Sequence, residues 1–246
     1  MLIEIFDIEP LKNFFNLIYD SATIVELKLD QEKLSISLLN NSHVAFYSLE
    51  IAREFFGDYS IQDNESILIF VEDFYKIIKT AKKDDVLLMK SDDAYLDCTF
   101  EHDGNRRVFE IPLAEDYGDS PMPPMIDYPV DFVVSLSDLK QPCEDLDKIV
   151  KTDRFKMEVE KGFLNVVSPD DAMTKYENSI ITDNDYERRV SSTFNIQYIL
   201  SLQKLSKISK EVLFKVGDDI PLTWIMTSPD EMVKVSGLIA PIMQED

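Results

Sequence analysis

Two stretches of this chain repeat one plan: an amphipathic segment, a short apolar run and a pair of aspartates. They are VEDFYKIIKTAKKDDVLLMKSDD (residues 71–93) and FNIQYILSLQKLSKISKEVLFKVGDD (residues 194–219). A repeat at that separation asks for two similar halves, each building its own core, which excludes most other organisations of 246 residues. The starts of the halves correspond as well. EPLKNFFNLIYDSA reads as a helix with Phe14, Leu17 and Ile18 inward and Lys12, Asn13 and Asn16 outward. Its counterpart is SLSDLKQPCEDLDKI (residues 135–149), where Ser137 is a candidate N-cap and Pro142 should distort the first turns.

Between the helices lie short alternating runs. TIVELKLD, KLSISLL and HVAFYSL fill the first half; RFKMEVE, FLNVVS and AMTKYENSII fill the second. Period-two alternation and turns such as LDQEKL and VEKGFL predict antiparallel strands and hairpins. Each half is then helix, strands, helix, strands, an α+β plan with helices on one face of antiparallel sheets. The expected division is a first domain over 1–115, a connector over 116–130 and a second domain over 131–246. The connector carries Pro121, Pro123, Pro124 and Pro129, which make it extended and unfit to be a central strand. It also carries Met122, Met125 and Ile126, an unusual apolar weight for a linker.

The chain has a formal net charge of -22, which taken as an average opposes nucleic acid. Yet Lys76, Lys79, Lys82 and Lys83 cluster in one segment. At helical spacing Lys76, Lys79 and Lys83 share a face, and Val71, Phe74, Ile77, Ile78 and Ala81 oppose it. In the second segment Ile196, Tyr198, Ile199, Leu202 and Leu205 form the apolar stripe. Gln197, Lys204 and Lys207 lie on the other side, and Leu200 and Ile208 interrupt it. A solvated charged face is the ordinary meaning of one such helix; two in register point to an acidic surface with a localised basic track.

Other classes find little support. No apolar run is long enough for a membrane span, and the first residues lack the bases of an export signal. Cys98 and Cys143 are isolated, which fits a reducing compartment. The acidic pairs Asp92–Asp93 and Asp218–Asp219 fall in expected hairpin turns, where aspartate serves local hydrogen bonding. His43 and His102 have no ligand spacing with a cysteine, and no phosphate-binding glycine loop or nucleophile–base arrangement is visible. The chain reads as a non-enzyme, with no catalytic residue, metal or cofactor.

Four stretches in register carry a resemblance: LNNSHVAFYSLEI, SPMPPMIDY, GDDIPL and GLIAPIMQED. Together they resemble the proliferating cell nuclear antigen family, the DNA sliding clamps of archaea and eukaryotes, with the archaeal form the closer. The likeness covers essentially the whole chain in order. It implies the DNA-clamp fold, with two similar domains per subunit in a homotrimeric ring whose helices line the hole and whose sheets form the outer wall.

The resemblance implies that Lys12, Lys76, Lys79, Gln197 and Lys204 face DNA; helical spacing adds Lys83 and Lys207. The third helix departs from the family, with Glu144 where eukaryotic members carry arginine and Asp145 and Asp147 nearby. Lys140 and Lys148 are its bases, so it should attract DNA little. A partner-peptide pocket is implied at Leu39, His43, Val44 and Phe46, at Met122 and Pro123 of the connector, and at Pro221, Leu238, Ile239, Ala240 and Pro241. Subunit contacts are implied along RRVFEIPL (Arg107, Phe109, Ile111) and DAMTKYENS (Met173, Lys175, Tyr176, Glu177). The implied partners are sequence-independent double-stranded DNA and, through short peptide motifs, the replicative DNA polymerase, clamp loader, flap endonuclease and DNA ligase, in processive replication and repair. No membrane is involved. The setting is cytoplasmic and nucleoid-associated, in an archaeon or an archaeal virus. The alternative is a monomeric or heteromeric clamp-like accessory protein that forms no ring by itself.

Overall fold

Alternation in the sequence becomes alternation in burial. Val25, Leu27 and Leu29 are buried along one strand, and Leu34, Ile36 and Leu38 along the next. The turn between them is closed by Asp30, whose carboxylate accepts the backbone N–H groups of Glu32 (2.8 Å) and Lys33 (2.9 Å). The computed structural model describes residues 1–61, 63–92, 94–115 and 121–243. Asp93, residues 116–120 of the expected connector and residues 244–246 of the acidic tail lie outside the described residues.

The chain divides into two units. The first comprises Met1–Met122 together with Thr227–Val235. It contains β1 (Leu2–Ile5), α1 (Glu9–Ile18), β2 (Ile24–Leu29), β3 (Lys33–Leu39), β4 (Ala45–Ala52), β5 (Tyr59–Ser60), β6 (Glu65–Phe70), α2 (Val71–Ile78), β7 (Val86–Ser91), β8 (Tyr95–His102) and β9 (Asn105–Pro112). One sheet runs β5-β1-β7-β8-β9, and β6, β2, β3 and β4 pair in that order. Helices α1 and α2 pack on each other, with the Phe15 and Phe74 rings 4.7 Å apart. Pro10 sits in the first turn of α1, where its missing N–H costs nothing.

The second unit comprises Pro123–Met226 and the chain from Ser236 on. It contains β10 (Val130–Ser135), α3 (Leu136–Asp145), β11 (Arg154–Glu160), β12 (Phe163–Val167), β13 (Glu177–Ile181), β14 (Val190–Asn195), α4 (Ile196–Ser201), β15 (Glu211–Val216) and β16 (Leu222–Thr227), with β17 (Val233–Ile239) beginning in the first unit and ending here. Its four-stranded sheet runs β13-β12-β11-β14. Strand β15 pairs with β10 and β16. Helix α4 rests on β11 and β14, and α3 on α4 and β10.

The helix ends differ from the periodicity. Helix α2 stops at Ile78, so Lys83 lies beyond it rather than on its face. The amides of Thr80 and Ala81 turn back to Ile77 and Ile78, tightening the last turn. The buried Asp85 carboxylate then accepts the Lys82 N–H (2.9 Å), and Asp84 adopts a left-handed φ of 67°. Helix α4 likewise lasts only to Ser201, and Leu202–Leu205 winds more tightly as a 3-10 turn. Lys204 is in that turn and Lys207 after it. The change of phase lets Ile208, which interrupted the polar face, become buried. Ser135, not Ser137, caps α3: its oxygen accepts the Ser137 N–H at 3.2 Å. Pro142 stands inside α3, which runs into a wider turn over Leu146–Val150 that ends on left-handed Lys151.

Two strands start later than their alternation suggests. Strand β4 starts at Ala45, leaving His43 and Val44 in a loop, because the Asn40 side chain takes the N–H groups of Val44 (2.9 Å) and Ala45 (3.0 Å). Strand β13 starts at Glu177, so Met173, Lys175 and Tyr176 precede it. There Pro169 opens a turn closed by the Ala172 N–H, and Lys175 Nζ bonds back to the Asp170 carbonyl at 2.6 Å.

Asp85 holds the end of α2 to β9 through the Arg107 guanidinium at 2.5 Å, and only 2% of its side chain is exposed. Removing one partner of such a pair leaves an uncompensated buried charge. Arg107→Ala, which leaves the Asp85 carboxylate buried and unpaired, should therefore lower stability by about 3 kcal/mol, read as an earlier urea midpoint at fixed protein concentration. A midpoint within error of the parent would show that the pair does not anchor this turn.

Candidate nucleic-acid interface and partner surfaces

On the first unit the basic residues come from α1, α2 and the turn after α2, and they are in three different states. Lys12 is half-buried and paired: its Nζ lies 3.0 Å from Glu9 and donates to the Ala81 carbonyl (3.4 Å), joining α1 to the turn after α2. Lys76 is exposed but paired with Glu72 one turn earlier. That hydrogen bond holds the Glu72 carboxyl below its ordinary range and the Lys76 ammonium above it. Lys79 has no carboxylate within ion-pair distance among the described residues. Its ammonium stands 5.5 Å from the centre of the Tyr75 ring. Lys83 is exposed in the turn, next to the exposed Lys82.

On the second unit Gln197 is exposed at the start of α4, where Asn195 caps the helix by accepting the Gln197 N–H. The Gln197 side chain donates to Asp147 at 3.2 Å. Lys204 and Lys207 are exposed. Helix α3 spends its bases locally: Lys148 lies 3.0 Å and Lys140 4.0 Å from the same carboxylate, Glu144. Asp145 accepts from Gln141 (2.7 Å) and from the Tyr176 hydroxyl (3.2 Å). Burial, with Asp145 adding to it, pushes the Tyr176 phenol up to about 12.

Strand β9 is the last strand of the first unit's five-stranded sheet, and β13 is the edge of the four-stranded sheet. Arg107 is turned toward its own chain, bonded to Asp85 and to Thr80 Oγ1 (3.2 Å), with its guanidinium 4.9 Å from the Phe100 ring. Phe109 meets Phe100 edge-on at 5.9 Å, and Ile111 is buried. Outward on this strand stands Val108, 54% exposed. On β13, Ile181 is 80% exposed and faces the half-exposed Phe163 of β12. Met173 and Lys175 are exposed in the preceding loop, and Glu177 begins the strand.

Of the expected pocket residues in the first unit, Leu39 ends β3 and Val44 sits in the loop, both partly exposed; His43 is exposed with a left-handed φ of 59°, and Met122 is almost fully exposed. Phe46 is buried. In the second unit Pro123 is exposed and Pro221, Leu238, Ala240 and Pro241 are half-buried, while Ile239 is buried. Both Phe46 and Ile239 therefore give their side chains to the interior. Sequence reasoning missed Asn40, which shapes the His43–Val44 loop, and Tyr75, which faces Lys79. An aromatic residue four positions before a lysine on a helix was the available signal for the second.

Among the described residues no three His, Cys, Asp or Glu side chains group to hold a metal ion, and no helix is long and apolar enough to cross a membrane. Asp92 spends its carboxylate on its own turn, as expected, whereas Asp218 reaches across to strand β14 instead of bonding locally. Asp92 accepts from Ala94 and Tyr95, both at 2.8 Å, which holds its carboxyl below the usual range; Asp218 accepts from Ser191 at 2.7 Å.

Residues 5–114 match the family described as proliferating cell nuclear antigen, N-terminal domain. Over 99% of its length the chain is 28% identical to the DNA polymerase sliding clamp of Methanobrevibacter smithii, covering 98% of that protein. Its fold is similar to PCNA from Thermococcus kodakaraensis (TM-score 0.87, 18% identity, 98% of this chain and 99% of that one). It is also similar to a chain of the PCNA2–PCNA3 complex of Sulfolobus tokodaii (TM-score 0.85, 19% identity, with the same two coverages). With the clamp fold in both likenesses and a relative matched over nearly its whole length, the chain has the DNA-clamp fold, and its residues 5–114 match the N-terminal domain of the proliferating cell nuclear antigen family.

Proposed function

We propose that this chain is a DNA polymerase sliding clamp, a non-enzymatic processivity factor whose ring encircles duplex DNA and tethers polymerase and other replication and repair proteins. One observation carries the reading: in a chain of net charge -22, exposed Lys76, Lys79, Lys82 and Lys83 gather on one segment of the first unit. Basic side chains on an otherwise acidic protein attract phosphate at one place and repel it elsewhere. Few contacts, none to bases, hold DNA without fixing position, which sliding requires.

The ring in this reading is a homotrimer closed head to tail by β9 of one copy and β13 of the next, an arrangement that ends with no unpaired edge. The domains are 1–115 and 131–246, joined by 116–130. DNA is faced by Lys12, Lys76, Lys79, Lys83, Gln197, Lys204 and Lys207. Polymerase, clamp loader, flap endonuclease and ligase dock by short peptides at the connector, and the protein works in the cytoplasm of an archaeon or its virus.

Three experiments test these parts. Changing Lys76, Lys79 and Lys204 to alanine should leave folding and assembly intact, because exposed lysines contribute little to stability. The salt slope of weak duplex association should fall by about 0.9 for each phosphate no longer neutralised, and polymerase stimulation on primed DNA should drop. The control triple removes Lys28 on β2, Lys33 at the start of β3 and Lys161 in the β11–β12 turn. Equal losses in both triples would make net charge the cause.

For assembly, Val108→Asp and Ile181→Asp each place a charge on an exposed apolar residue of an edge strand and should shift the light-scattering mass from trimer toward monomer. Met173→Asp, on the exposed loop before β13, should act in the same direction. A trimer that survives both strand variants would refute the edge pairing, and a mixed ring would show as a parent chain that never trimerises alone.

For partners, a peptide of the form Gln-x-x-aliphatic-x-x-aromatic-aromatic should bind at micromolar strength, about -8 kcal/mol. Met122→Asp should weaken it roughly tenfold or more by putting an unpaired charge against apolar groups. Equal affinities by calorimetry would remove Met122 from the peptide site.

A further inference from the structure

Tyr75 stands one helical turn before Lys79 on α2, and its surroundings are built in three directions. Its ring faces the Lys79 ammonium at 5.5 Å. Its hydroxyl donates to Asn16 Oδ1 on α1 at 3.0 Å. Its other neighbour is the Tyr19 ring, just past the end of α1, at 5.1 Å between centroids and tilted by 55°. Tyr19 and Tyr75 are both half-buried, so the pair forms a semi-rigid floor between the two helices, while Lys79 itself is exposed.

We propose that Tyr75 is a positioning residue for DNA contact, holding the Lys79 ammonium over a fixed aromatic platform so that it meets phosphate already placed and still charged. The inference rests on the reading of Lys79 as a DNA-facing residue. An aromatic face attracts an ammonium without neutralising it and leaves its N–H donors available. A carboxylate does the opposite, as Lys76 illustrates: paired with Glu72, it must exchange one anion for another to reach phosphate. A free lysine surrenders the rotamer freedom of its long stem when it binds, and a lysine already resting on a ring surrenders less. The hydroxyl bond to Asn16 and the packing against Tyr19 keep the ring from following the lysine.

The test is a double-mutant cycle on duplex affinity, read by fluorescence anisotropy with a short labelled duplex at low salt, using full-length protein. Tyr75→Leu and Lys79→Ala should each weaken binding by roughly two- to fivefold, the size of an exposed cation–π contact. The double variant should bind no more weakly than Lys79→Ala alone. Tyr75→Phe and Tyr75→Trp keep a ring and should stay within about twofold of the parent. Parent affinity in Tyr75→Leu, additive losses in the double variant, or a loss in Tyr75→Phe as large as in Tyr75→Leu would each overturn the proposal. The last of these would assign the effect to the hydroxyl link with Asn16. Parent affinity in Lys79→Ala would instead remove Lys79 from the DNA surface, and the proposal would fall with it.

Discussion

Phe15 and Phe74, both wholly buried with ring centroids 4.7 Å apart, lock α1 to α2, and what the first unit shows to solvent follows from that contact. Truncating such a ring costs about 3–5 kcal/mol, a large part of the roughly 5–15 kcal/mol that holds a domain folded. Neither helix can therefore rotate about its axis. With Val71, Phe74 and Ile78 turned in, Lys76 and Lys79 have nowhere to go but out. The basic surface is a by-product of packing in its direction. Only its chemistry, lysine rather than another polar residue, was open to choice.

That chemistry is graded. Lys12, Lys76 and Lys140 have carboxylate partners on their own helices and Lys148 one on the helix before it, Lys79 has an aromatic one, and Lys82 and Lys83 are exposed in a turn. Two unit charges 4 Å apart in water attract by about 1 kcal/mol, close to thermal energy, so a phosphate can displace an exposed carboxylate and be displaced in turn. A surface made of such exchanges would hold a polyanion loosely at every register and tightly at none. Such loose contact fits the proposed sliding function.

Hairpins were the most legible elements. β3 and β11 run where their alternation puts them, because alternating burial and a dedicated turn residue agree: Asp30 bonds its own turn, and Gly162 takes a φ of 79° between β11 and β12. Element ends were less legible, since side-chain acceptors shape several of them against the period. Asp85 takes the Lys82 amide, Asn40 takes those of Val44 and Ala45, and Ser135 takes that of Ser137. Apolar periodicity is blind to such bonds. Outward lysines could be read from phase; their partners could be read only where they lie on the same helix, as with Glu72 and Lys76. Contacts that bring distant elements together, such as Lys12 with Ala81 or Tyr176 with Asp145, leave no trace in spacing.

The repeat between the halves preserves architecture and releases charge. Each half needs apolar residues at the inward positions of its helices, and both have them: Leu11, Phe14 and Ile18 on α1, Leu136, Leu139 and Cys143 on α3. Outward positions are under no such demand. Along α3 and the turn that follows, Asp138, Glu144, Asp145 and Asp147 face only Lys140 and Lys148, a balance of 2 - 4 = -2. From Val71 to Asp85 the same arithmetic gives 4 - 4 = 0, and one of those acids, Asp85, is buried against Arg107, so the exposed remainder is positive. Packing fixes where the helices point in both units, whereas attraction for phosphate is concentrated on α2 of the first and on the Lys204–Lys207 turn of the second. Under the proposed sliding function each unit needs only such an island, because a polyanion that always has some phosphate near some lysine requires no even lining.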